Sequence, residues 1–291
     1  MSRLSTGVAG LDDLLGGGLL PGRLTVVVGA TGIGKTQLGL QFAHAGRNQE
    51  GRAGIILDLT ARGDSQSQGE YAQRMFDWKL QPASAAAPPA LDDFFNPARH
   101  FGDYLHVFDR RGKRVTRADL DFEAWHDWRA ELNARLNAAI AFFYGNFIHG
   151  VRRAVIDGVE PVGRPSDSIQ LDLFDYVYHQ ILRKEADWVA RDLFRERFRE
   201  FAAAVAAAHY NHEQIGCLLL YTSAETMLDE LIRRPLDEGD VLANANTVIH
   251  LGKVRDGDKI RRALHIAKHR GSAASDQTVP FEITAHGLRL V

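Results

Sequence analysis

Residues Gly29-Ala30-Thr31-Gly32-Ile33-Gly34-Lys35-Thr36 stand between the apolar run Leu24-Thr25-Val26-Val27-Val28 and the segment Gln37-Leu38-Gly39-Leu40-Gln41-Phe42-Ala43. The octapeptide has the form G-x-x-x-x-G-K-[ST]. Its flanks predict the strand and the helix between which such a phosphate-binding loop works. The glycines let successive backbone N–H groups turn inward around phosphate oxygens, at the positive end of the following helix. Gly29, Ala30, Thr31, Gly32, Ile33, Gly34, Lys35 and Thr36 are therefore the expected nucleotide-binding residues. Lys35 would reach the β- and γ-phosphates, and Thr36 would offer its hydroxyl to Mg²⁺. ATP with Mg²⁺ is the expected ligand pair.

Short runs rich in Val, Ile and Leu recur at residues 24 to 28, 54 to 59, 104 to 108, 154 to 157, 216 to 221 and 247 to 251, mostly separated by helical patterns. That order predicts an α/β fold with a mainly parallel central sheet. Near the end of the chain, Arg255 to Lys259 and Ala285-His286-Gly287 each separate two alternating segments, which predicts two C-terminal β-hairpins. Between residues 168 and 210 the apolar positions from Leu171 to Val205 follow helical spacing, so long core-facing helices are expected there. The whole chain, 1–291, reads as one domain. Residues 62 to 150 form its least regular part and are expected to be a partly helical insertion, with Gln81 to Ala90 as a linker. Within that region Trp125, Trp128, Leu132, Leu136 and Ile140 line one face of a predicted helix, with Glu131 and Arg135 paired on another. Core packing or a subunit contact would both use such a face.

Apolar residues make up 45% of the 291, enough for a sizeable core, which excludes a disordered chain. With 35 basic and 37 acidic residues the net charge is -2, so no global field recruits nucleic acid or an acidic membrane. The single cysteine, Cys217, sits in an apolar run and reads as an inert buried thiol in a reducing compartment. The first residues carry no apolar leader-like stretch and no run approaches a membrane span, so a cytoplasmic protein is expected. The twelve histidines show no H-x-x-x-H or H-E-x-x-H spacing, which leaves Mg²⁺ with nucleotide as the expected metal.

The opening Arg3-Leu4-Ser5-Thr6-Gly7-Val8-Ala9-Gly10-Leu11-Asp12, running through Gly16-Gly17-Gly18-Leu19 into the loop, resembles the start of KaiC-type ATPase domains of the RecA superfamily. Thr247 to Leu251, Leu264 to Gly271 and Phe281 to Leu288 resemble the family's closing segments, in order. The resemblance spans residues 3 to 60 and 150 to 291. It implies a RecA-like P-loop core that assembles as a homo-oligomer, a hexamer being one form, with nucleotide at subunit interfaces. It also implies that Lys268 and Arg270, the family's Lys-x-Arg pair, act on a neighbouring subunit's nucleotide. A fixed guanidinium suits that task because phosphoryl transfer spreads negative charge over the equatorial oxygens. Ala154-Val155-Ile156-Asp157 reads as the Walker B strand, with Asp157 holding Mg²⁺ on a strand expected beside that of the loop. Thr222 or Ser223 would end the next strand near the γ-phosphate.

One departure bears on activity. The family places a glutamate at the end of the strand after the loop helix, where it activates water. Here that strand reads Gly54-Ile55-Ile56-Leu57-Asp58-Leu59-Thr60-Ala61, with Thr60 or Ala61 in the glutamate's place. Asp58 is the substitute candidate, set back by about 6 to 7 Å, and Asp64 and Glu160 are fallback bases. Because a positioned base contributes roughly 10²- to 10⁴-fold, ATP binding with slow hydrolysis is expected, controlling assembly or an unidentified protein partner. Two alternatives differ in class. A DNA-associated repair ATPase would use Arg110, Arg111, Lys113 and Arg114, and a non-catalytic scaffold would use nucleotide only as a gate. Arg191, Arg195, Arg197 and Arg199 alternate with acids and read as a solvated, salt-bridged helix face.

Overall fold

The computed structural model describes residues 2–60, 68–84, 89–108, 121–160, 169–234, 241–271 and 275–291; the side chains at 122, 124–134 and 169 fall outside that description. Ala61 and Asp64, the basic turn from Arg110 to Arg114, and the side chains of Trp125, Trp128, Glu131 and Leu132 therefore lie outside the described residues.

Among the described residues, nine strands form one sheet in the order β3-β2-β4-β5-β1-β6-β7-β8-β9. These are β1 (Leu24–Gly29), β2 (Ile55–Asp58), β3 (Tyr104–His106), β4 (Arg153–Val159), β5 (Gly216–Thr222), β6 (Thr247–Asp256), β7 (Lys259–His269), β8 (Thr278–Thr284) and β9 (Gly287–Leu290). Strands β3, β2, β4, β5, β1 and β6 run parallel, and the two C-terminal hairpins extend the sheet antiparallel from β6. The α/β architecture with a mainly parallel sheet is thus as the sequence predicts.

The strand order corrects one expectation. Asp157 is not on the strand beside β1, because β5 lies between β4 and β1, with Leu24 paired to Cys217 and Ala154 paired to Cys217 on its other side. Central parallel strands are buried on both faces and read as uniform apolar runs, so their sequences carry no record of which neighbours which.

Side chains alternate between two cores, as the two-residue strand period requires. In β1, Leu24, Val26 and Val28 face one side and Val27 the other. The first side is covered by α4 (Phe122–Ile148), α5 (Ile169–Tyr176), α6 (Ala186–Phe194), α7 (Phe198–Ala207) and α8 (Leu228–Arg233). The second is covered by α1 (Leu11–Leu14), α2 (Lys35–Gln49) and α3 (Gln68–Phe76). A short α9 (Val241–Asn244) precedes β6.

From residue 169 to 210 the helices are short rather than long. A π-helical turn, Val177–Leu182, follows α5, and Arg195, with φ 48°, breaks the chain between α6 and α7. Each short piece still lays its apolar side on the core. Phe194, for instance, packs edge-on to Tyr144 at 6.0 Å and stacks on Phe201 at 4.6 Å. Helical spacing therefore persists across breaks that periodicity cannot reveal.

Arg153 opens β4 with a fully buried side chain. Its Nε and Nη2 donate to the Glu50 carboxylate at 2.7 and 2.9 Å, and its Nη1 donates to Ser5 O and Phe42 O. This cation fixes the N-terminal segment, the end of α2 and the start of β4 to one another.

Candidate phosphate-binding site

The loop after β1 takes the conformation that its glycines permit. Gly32 has φ 75° and Gly34 φ 120°, backbone states that side-chain-bearing residues rarely adopt. A Cβ at Gly34 would also approach Ile283 Cδ1 to 3.1 Å. Helix α2 starts immediately after, at Lys35, so its free N–H groups face the loop.

Lys35 is buried, and its Nζ donates to Gly29 O at 2.8 Å and Ala30 O at 3.0 Å. Burial lowers its pKa to about 8, and Asp157 and Glu160 act against that shift. Thr36 Oγ1 donates to Asp157 Oδ2 at 2.9 Å, joining the loop to β4 across the intervening strand. The same carboxylate oxygen accepts from Gln68 Nε2, at the start of α3, at 2.7 Å. Burial pushes the Asp157 carboxyl up to about 6, and the Asp58 carboxylate adds to that, with the Thr36 bond and Lys35 pulling the other way.

Asp58 ends β2 directly opposite Asp157 in the parallel register. Its Oδ1 accepts the Thr60 N–H at 2.8 Å and its Oδ2 accepts the Tyr104 hydroxyl at 2.5 Å. Both oxygens are thereby anchored, and the Tyr104 hydroxyl is held protonated by burial and by Asp58. His106, opposite Asp58 on β3, faces Thr60 O through Nε2 at 2.9 Å. Thr60 is the described residue where the water-activating glutamate was expected. Glu160 follows β4, close enough to Lys35 to support its charge. On the other side of the loop, the Ser223 N–H donates to Gly29 O at 3.0 Å while its hydroxyl donates to the Glu225 carboxylate.

Gly29 to Thr36, Asp58, Asp157 and Glu160 thus meet at the ends of the parallel strands. Lys268 and Arg270 do not join them. The Arg270 N–H bonds to Asn246 O, and the Asn246 N–H to Leu24 O, which puts Arg270 level with the first residue of β1. The loop leaves β1 at Gly29, about 16 Å further along the strand. Lys268 Nζ donates to Ala243 O at 2.6 Å, on the last turn of α9.

Gln68, Tyr104 and His106 were missed in the sequence, because each gains its meaning from a strand or helix packed alongside and none sits in a spaced motif. Cys217 is buried and burial holds its thiol protonated, as expected for an inert core residue. Two of the four arginines expected on a salt-bridged face are ion-paired, Arg191 with Asp187 at 2.9 Å and Arg197 with Glu200 at 2.9 Å and Asp92 at 3.2 Å, while Arg195 donates to Asn137 Oδ1 at 2.7 Å. Among the described residues no helix is long and apolar enough to cross a membrane.

A family model described as "ATPase: KaiC" matches residues 4–100. The chain is similar to the circadian clock oscillator protein KaiC of Prochlorococcus marinus (strain MIT 9313), 24% identical over 290 residues, covering 99% of this chain and 46% of that protein. It is 46% identical over 301 residues to the KaiC of another Prochlorococcus marinus strain, SARG, covering 99% of this chain and 45% of the relative. It is also 25% identical over 288 residues to a UPF0273 protein of Thermotoga maritima, covering 99% of this chain and 95% of that one. The chain spans less than half the length of the clock-protein relatives.

Proposed function

This chain carries a KaiC-like P-loop ATPase domain of the RecA superfamily, and on that footing we propose that it binds Mg-ATP at Gly29 to Thr36 and hydrolyses it slowly in an oligomer whose subunits share the site. The observation that carries this reading is the Thr36–Asp157 hydrogen bond beside the buried Lys35.

The residues present fit the metal and the nucleotide. A hydroxyl and a carboxylate in hydrogen-bond contact make an oxygen donor pair suited to a hard cation, and a desolvated carboxylate at the loop favours a positive partner. Bound Mg²⁺ would neutralise charge on the phosphate oxygens. Lys35 would turn from its two carbonyls toward phosphate, and the loop N–H groups would cradle the phosphate oxygens. Gln68 holds the Asp157 carboxylate in position.

Slow turnover is supported by what faces the site. Thr60 cannot act as a base, and Asp58 is held by Tyr104 and the Thr60 N–H. Assembly is supported by Arg270, which is exposed and too far along the sheet to reach its own loop. In a head-to-tail oligomer that cation would stabilise charge in the neighbour's site, as the family's Lys-x-Arg pair does. The partner or assembly that nucleotide controls would be set by site occupancy.

The test is mass and phosphate release on the same sample with Mg-ATP, for the wild type and for Lys35→Ala and Arg270→Ala. Slow release in the wild type that is lost in both variants supports the shared site. Nucleotide binding that persists in Lys35→Ala contradicts the assignment of the loop.

A further inference from the structure

At the opposite end of the strands from the loop, a cleft of about 440 Å³ opens where β2, β3 and β4 begin. Its wall carries Arg47 from the last turn of α2, Arg52 from the turn before β2, Lys79 from beyond α3, and Arg99 from the approach to β3, joined by His100 and His149. All four cations are exposed. From this convergence we propose a second anion site, one that takes a small polyphosphate-bearing molecule, separate from the nucleotide loop.

The charge at this place is not the chain's average, since the whole protein carries -2. Elsewhere several described arginines pair with acids, among them Arg153 with Glu50, Arg191 with Asp187, Arg261 with Asp256 and Arg289 with Glu282. In the cleft, Arg52 and Lys79 make no ion pair with any described residue, and Arg99 only reaches Asp93 at 4.0 Å. Arg47 lies over the Trp78 ring at 5.2 Å, a stack that holds a guanidinium without neutralising it. The one carboxylate on the wall among the described residues, Asp103, already accepts from Trp78 Nε1 and the Gln81 N–H, both at 3.3 Å.

A purely structural account exists, because α2 and α4 end at this edge and helix C-termini attract cations. Each terminus carries about half an elementary charge. Two of them offset roughly one of the four cations, Asp103 offsets another and Asp93, 4.0 Å from Arg99, offsets part of a third, which leaves a surplus of about one to two positive charges facing solvent. Guanidinium forks set around a concavity recognise phosphate oxygens bidentately. The volume suits a ligand of nucleotide size, within the roughly 300 to 1,000 Å³ usual for small-molecule sites. A compact cleft supplied from four segments favours a compact polyanion over an extended nucleic-acid strand, which needs a continuous groove.

The experiment is a calorimetric titration of the full chain with inorganic tripolyphosphate at low salt, using wild type, Lys35→Ala, and the double variant Arg52→Gln/Lys79→Gln, with thermal unfolding of each. The expected result is, beside any binding at the loop that Lys35→Ala removes, a second binding event that survives Lys35→Ala, falls at least tenfold in the double variant, and weakens with salt, while the double variant unfolds at the wild-type temperature. Arg99→Gln provides an independent second lesion and should weaken the same event. Binding lost in Lys35→Ala and unchanged in both cleft variants would overturn the proposal. So would cleft variants that lose stability without losing tripolyphosphate, as the helix-end account requires. A single-stranded oligonucleotide that binds through these residues when tripolyphosphate does not would also overturn it.

Discussion

Thr36 and Asp157 lie 121 positions apart in the chain, yet Thr36 Oγ1 donates to Asp157 Oδ2 at 2.9 Å and so joins the phosphate loop to the acidic strand end. The carboxylate that accepts is buried beside Asp58, and its pKa stands near 6 rather than in the ordinary carboxylate range. Ionised at neutral pH, it weakens the fold in the absence of a cation. Asp157→Asn should therefore raise the unfolding temperature of the nucleotide-free protein at pH 7 and abolish the Mg²⁺ dependence of nucleotide binding. Thermal melts and titrations with and without the metal check both.

The same shift sets a pH dependence. A carboxyl whose folded pKa is raised stabilises the fold fully below its unfolded pKa, near 3.9, and loses that contribution as pH rises through about 6. Between pH 5 and 7 the nucleotide-free wild type should lose stability relative to Asp157→Asn. Binding runs the other way, since Mg²⁺ needs the carboxylate. With Lys35 lowered to about 8, Mg-ATP affinity should be highest between about pH 6 and 8 and fall on both sides. An affinity profile flat from pH 5 to 9 contradicts this assignment.

Lys268 and Arg270 should separate by readout. Lys268 Nζ caps carbonyls at the end of α9, so Lys268→Met should cost about 1 kcal/mol of stability. Arg270 is exposed and its backbone alone is tied down. Arg270→Ala should leave stability and ATP binding intact and lower phosphate release at least tenfold. Equal stability losses in both would leave Arg270 with only a structural role.

Arg153 tests the frame that holds the site. Its guanidinium is fully buried and paired with Glu50, and removing one partner of a buried pair costs about 3–5 kcal/mol. Arg153→Met should cost that much by denaturant titration, and Glu50→Gln, which leaves the buried guanidinium without its counter-charge and with one acceptor fewer, should cost at least as much.

Much of this was legible in the chain. The loop, its strand and helix, Asp157 and both C-terminal hairpins follow from local patterns: a fixed spacing, a two-residue alternation, a turn. What was not legible depends on lateral placement. That β5 separates β4 from β1, or that Tyr104 reaches Asp58, is decided by packing between segments whose sequences read alike. The break at Arg195 was hidden for a related reason, because apolar spacing continues through it.

On the proposed reading Thr60 stands in place of the water-activating glutamate, and the glutamate can be put there. Thr60 is held by its own N–H to Asp58 and its carbonyl to His106, contacts that a change of side chain leaves in place. Thr60→Glu should raise the rate of phosphate release by about 10²-fold, the lower range for a positioned base. An unchanged rate would mean that water activation resides elsewhere, with Glu160 the next residue to remove.

The shared site is tested most directly by mixing Lys35→Ala and Arg270→Ala chains and measuring phosphate release with Mg-ATP. Each variant alone lacks one half of every site, but random assembly brings an intact loop against an intact Arg270 at about a quarter of interfaces. The account predicts that release in an equal mixture recovers to about a quarter of the wild-type rate. A mixture that stays at the level of the separate variants, while the wild type turns over, would contradict it.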